Sequence, residues 1–183
     1  MITIRVNLEA MEALMYFWEA TRGREKVNEK FINALAALSP MPSIYDETFS
    51  AETVRKVLSA ITNREPLAPS SRPEGRFFNN NLWMLEDLAL PREIMSCIKV
   101  LNLDTLAVRL STDLDVDREI TVYFAPLHLE PVYCLKGSVV LNFFLLQPDY
   151  AGGLAFSGED LFSSVENIVR SSLLSASNQA THD

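Results

Sequence analysis

Arg72, Arg76, Phe77, Phe78, Asn79, Asn80 and Trp83 crowd into one short segment, Arg72-Pro-Glu-Gly-Arg-Phe-Phe-Asn-Asn-Asn-Leu-Trp83. Guanidinium forks bind carboxylates bidentately, and Arg, Trp and Phe are enriched at the centres of protein interfaces. The stretch from Arg55 to Arg76 is also locally basic, with five positive and two negative side chains. This is chemistry for recognising a carboxylate, a peptide or a neighbouring subunit, and these seven residues form the candidate partner- or ligand-binding site. The competing structural role is plain: Phe77, Phe78 and Trp83 anchor a loop to the core, and the asparagines cap the next helix.

Other fragments approach a known chemistry and each lacks a part. Gly153-Leu-Ala-Phe-Ser-Gly158 has phosphate-loop glycine spacing, but Glu159 and Asp160 stand where Lys and Ser or Thr must meet phosphate and magnesium. Asp113, Asp115 and Asp117 open like a calcium loop, yet Arg118 holds the position that needs Gly and Phe124 the one that needs a bidentate Glu. His128, Glu130 and Cys134 resemble scattered elements of a zinc deaminase, but they run together and the second thiolate is missing. Ser96 and Lys99 have serine–lysine dyad spacing without the partner motifs of such enzymes. A histidine-based triad would rest on His128, because the other histidine, His182, lies at the chain's end. No catalytic residue, metal or cofactor is assigned on these grounds.

The elements that must position these residues follow from composition and period. A chain of 183 residues, 48% apolar and 22% charged, is one globular domain with a sizeable core. Its net charge of −8 is uneven, since residues 102–183 carry 4 basic and 11 acidic side chains. An acidic half repels phosphate backbones and anionic lipid, which argues against nucleic-acid and membrane-surface binding. Two cysteines, Cys97 and Cys134, read as buried free thiols of a reducing cytoplasm. No leader opens the chain and no apolar run reaches membrane-spanning length.

Met1 to Val6 alternates like a short strand. Helical spacing then predicts helices over about 7–22, from Val27 to Leu38, and after a Ser50 cap. Residues 63–81, with Pro66, Pro69, Pro73 and Gly75, form the longest predicted loop. Asn81 is expected to cap a short helix, and Pro91 suits the first turn of the one after it. From Thr105 the period turns to two. Thr105–Leu110, Glu119–Ala125, Val132–Leu135 and Val139–Leu146 predict about four antiparallel strands, with Gly137-Ser138 as a hairpin turn.

The expected class is α+β: a helical part over about 7–101, an antiparallel β-meander over about 104–147 and a closing helix over about 159–175. Residues 1–176 form the domain, and 177–183 a disordered tail. The expected function is a non-catalytic cytoplasmic binding or protein-interaction domain that self-associates, as a homodimer, or takes a protein or peptide partner. The alternative is a small hydrolase or transferase using the 63–83 loop with His128 or Ser96. A third is a ligand-binding sensor with an apolar pocket.

Overall fold

The computed structural model describes residues 1–179, and among them eight helices and two sheets make a mixed α+β chain. Strand β1 (Ile2–Asn7) is followed by helices α1 (Glu9–Arg22), α2 (Glu29–Ala37), α3 (Met41–Ile44), α4 (Ala51–Asn63), α5 (Arg72–Glu86), α6 (Ala89–Lys99) and α7 (Asp104–Asp113). Strands β2 (Arg118–Ala125), β3 (Val132–Leu135) and β4 (Ser138–Asn142) come next. A 3-10 turn then leads to β5 (Leu146–Pro148), β6 (Leu154–Phe156), β7 (Glu159–Asp160) and helix α8 (Leu161–Gln179). Helix α8 runs three residues into the segment expected to be a tail, and 180–183 lie outside the described residues.

The four-stranded meander is corrected. The larger sheet is mixed, in the order β1-β2-β4-β3. Strands β1 and β4 flank β2 in parallel, and only β3 runs antiparallel, against β4. The 126–131 link, bounded by Pro126 and Pro131, carries the chain past β2 instead of turning it back as a hairpin. Strands β5, β6 and β7 make a separate antiparallel sheet.

Thr105–Leu110 is helix α7, not a strand. Leu106, Val108 and Leu110 do alternate, but Leu103, Leu106, Ala107 and Leu110 are the buried set, at helical spacing, while Val108 is 68% exposed. The Lys136-Gly137 pair, not Gly137-Ser138, forms the β3–β4 turn, because Leu135 pairs with Ser138. Gly137 is its second residue, at φ +74°, a place that costs an L side chain. Ser157 and Gly158, both at positive φ, close the β6–β7 hairpin, so the phosphate-loop spacing of 153–158 belongs to a type I′ turn.

Register puts Ile4, Val6, Ile120, Val122, Phe124, Val139 and Leu141 on one face of the mixed sheet. Val139, Val140 and Leu141 in β4 are buried on both faces, as their unbroken apolar run requires. The opposite face of β1 is open and polar, where Arg5 and Glu119 pair at 3.1 Å. Helix α8 packs on the sheets through Leu161, Val165, Val169 and Leu173. It is tied to α7 by Arg109–Glu166 at 2.9 Å and Arg170–Asp113 at 2.6 Å. Cys134 is exposed and Cys97 half-buried, which corrects the buried-thiol expectation.

Candidate functional site

Most of the predicted 63–83 loop is helix α5, and the loop proper is the short link before it. Ser71 caps the helix: its Oγ accepts from Glu74 N at 3.2 Å, and Pro73 sits in the first turn, where its missing donor costs nothing. Glu74 is 4% exposed. Its carboxylate accepts from Lys56 Nζ at 2.7 Å, from Ser70 Oγ at 2.9 Å and from Ser70 N at 3.2 Å. Burial alone would raise its pKa. Lys56 and Ser70 outweigh that and hold it below the usual carboxylate range. Gly75 lets the loop lie close on the helix, since a Cβ there would come within 3.3 Å of the Pro69 ring.

The inner face of α5 is pinned as firmly. Phe77 is fully buried and meets Phe49 edge-on at 5.1 Å. Asn81, expected as a helix cap, is instead a buried bridge. Its Oδ1 accepts from Trp18 Nε1 at 2.9 Å and its Nδ2 donates to Phe77 O at 2.8 Å. With both ends of the amide satisfied, the polar group is stable inside the core.

The outer face carries Arg72, Arg76, Asn79, Trp83 and Glu86, all exposed. Their spacing of four, three, four and three residues keeps them on one stripe of the helix. Trp83 is 68% exposed, unusual for so large an apolar ring. Arg5, Arg55, Arg92, Arg109 and Arg170 are all ion-paired within the chain. The side chains of Arg72, Arg76 and Glu86, like those of Arg24, Arg64 and Arg118, have no ion-pair or hydrogen-bond partner among the described residues. The fold thus brings four of the seven predicted residues, Arg72, Arg76, Asn79 and Trp83, to one surface. It sends Phe77 to the core and leaves Phe78 and Asn80 half-buried at the edge. Glu86 joins the stripe. Sequence reasoning missed it because a loop has no common face, whereas the Ser71-x-x-Glu74 capping signature would have started the helix early enough to reveal it.

His128 lies elsewhere, 1% exposed, with its ring stacked on Phe49 at 3.9 Å and 11°. Its Nε2 is 3.6 Å from Asp46 Oδ2, beyond hydrogen-bond reach, and neither ring nitrogen has a hydrogen-bond partner in the protein. Burial lowers its pKa, and the Asp46 and Glu130 charges oppose that. Asp46 is itself held low, first by its hydrogen bond from the Thr48 side chain. The pair has the elements of a base and its orienting carboxylate, but Phe49 covers the ring a substrate would have to reach. Ser96 Oγ donates to Arg92 O at 2.9 Å, and Lys99 lies 4.0 Å from Glu12, so that dyad is not assembled. Among the described residues no cluster of His, Cys, Asp and Glu is arranged to hold a metal ion. A groove of about 640 Å³ between α8 and the ends of β2 and β3 has Arg118, Lys136, Ile120 and Leu135 among its walls, and it shares no residue with the α5 stripe. No described helix is long and apolar enough to cross a membrane. Comparison with family models, with curated proteins and with solved structures finds no match to this chain.

Proposed function

We propose that this chain is a non-catalytic, cytoplasmic protein-interaction domain that engages its partner through the outer stripe of α5. One observation carries the reading. Two arginines without intramolecular partners lie in line with a Trp that is 68% exposed, on a helix whose other face is locked into the core. Arg and Trp are the side chains that most often dominate binding energy at protein interfaces. A helix fixed by its buried side presents them with little ordering cost on binding. The preferred partner surface is proteinaceous and offers a carboxylate to the guanidiniums, and the chain's own net charge of −8 disfavours nucleic acid and anionic lipid.

Site-specific photo-crosslinking in the cells that make the protein tests this. A photoreactive residue in place of Asn79 is expected to give a discrete adduct, and the same residue in place of Lys30, exposed on α2, is expected to give none. Absence of any adduct at Asn79, or identical adducts at both positions, would overturn the reading.

A further inference from the structure

We infer that the partner is a second copy of this chain, docked stripe to stripe with the two α5 helices antiparallel about a two-fold axis at Asn79. The inference rests on the reading of α5 as a docking face and adds the identity of the occupant.

The order of side chains along the stripe is self-complementary in one direction only. From the N-terminal end it runs Arg72, Arg76, Asn79, Trp83, Glu86, so positive charge lies at one end and negative at the other. Laid antiparallel, Arg72 faces the partner's Glu86, Arg76 faces the partner's Trp83, and Asn79 faces the partner's Asn79. The rise of about 1.5 Å per residue places Arg72 and Glu86 at equal distances, about 10 Å, on either side of Asn79. Arg76 and Trp83 fall within about 2 Å of equal distances on the same scale. Each pair occurs twice by symmetry, giving two ion pairs and two guanidinium–indole contacts around a central amide pair. An isologous interface needs this kind of self-complementarity. A parallel arrangement would set Arg72 on Arg72 and Glu86 on Glu86, where like charges repel.

Three features of the isolated chain fit this occupant. Arg72, Arg76 and Glu86 are left unpaired within the chain although its other helices hold many ion pairs. The exposed Trp83 gains a cation over its face, the best aromatic partner for one. The inner face of α5 is fixed by Glu74, Phe77 and Asn81, so the stripe is rigid before contact. A single helix pair falls below the roughly 1,200–2,000 Å² of specific interfaces, so the dimer is weak and exchanges with monomer.

Sedimentation equilibrium of the full chain over a concentration series tests the arrangement by charge exchange. Wild type is expected to show a monomer–dimer equilibrium. Arg72→Glu and Glu86→Arg are each expected to weaken it about tenfold or more, by setting like charges face to face. The double variant R72E/E86R is expected to recover most of the affinity, because both pairs re-form with the signs reversed. Glu93→Arg, on the exposed side of α6, is expected to leave it unchanged, and circular dichroism checks that every variant is folded. A wild type that stays monomeric at the highest concentration, single variants that dimerise like wild type, or a double variant no better than the singles would each overturn the inference. The crosslinking above separates the two readings. An Asn79 adduct of twice the chain's mass supports the second copy. A discrete adduct of any other mass sinks the second copy and leaves α5 as a docking face. No adduct sinks both.

Discussion

At the scale of single residues, His128 is the most consequential side chain outside the α5 stripe. Burial against Phe49 favours its neutral form and lowers its pKa, while Asp46 and Glu130 pull the other way; the Tyr133 ring lies 6.3 Å from it. The unfolded chain keeps a histidine near about 6.5, so as pH falls it takes up the proton first. The penalty is absent above that value and grows as pH drops below it towards the folded pKa. His128→Phe keeps a ring on Phe49 and removes the titration. Between about pH 7.5 and 5.5 the urea midpoint of wild type is therefore expected to fall while that of H128F stays level. Equal slopes in the two proteins would contradict this account. Asp46 and Glu74, whose pKa values are lowered, lose their contribution only at more acidic pH. The residue types of this region were visible in the sequence, but not the stacking or the burial. These arise from Phe49 in the α3–α4 connection and His128 in the β2–β3 link, which are far apart along the chain.

At the scale of elements, sequence patterns worked where local forces decide and failed where distant ones do. Met11, Leu14 and Trp18 marked the buried stripe of α1, and Ser50 caps α4 as expected, with reciprocal bonds to Thr53 that the structure adds. Helix α5 was hidden because Pro73, Gly75 and three consecutive asparagines are poor helix formers. Tertiary contacts override that weakness: Glu74 is locked to Lys56, and Asn81 bridges Trp18 to Phe77. The candidate site was legible as a cluster of residue types and illegible as a surface, because only a helix sorts Arg72 and Trp83 outward from Phe77. The β6–β7 hairpin gives the element-scale test. Its turn needs positive φ at Ser157 (52°) and Gly158 (88°). Gly158→Ala is expected to destabilise the protein by about 1 kcal/mol and Ser157→Asn to leave it unchanged or slightly stabilise it. Thermal melts of the two variants check this, and equal losses would show that the turn does not set the cost.

At the scale of the molecule, helices and strands share one continuous core. Trp18 of α1 meets Phe143 and Phe144 just after β4, at 6.1 and 6.3 Å, and the aromatic chain Phe77–Phe49–His128 runs from α5 to the β2–β3 link. Such interlocking predicts one cooperative unfolding transition. Trp83→Phe removes the exposed indole and leaves buried Trp18 as the reporter. Its fluorescence and the far-UV circular dichroism are expected to change at the same denaturant concentration. Two separated midpoints would divide the helical part from the sheet. The parallel pairing of β1 with β2 could not be read from sequence, because alternation specifies a strand's faces but not which strand lies beside it.

That pairing has a consequence for synthesis on the ribosome. Residues 2–7 leave the exit tunnel long before residues 118–125 exist to bond with them. Until then the amides and carbonyls of residues 2–7 cannot form their ladder with β2. The sheet can be completed only once translation has passed β4, and the last helix then covers it.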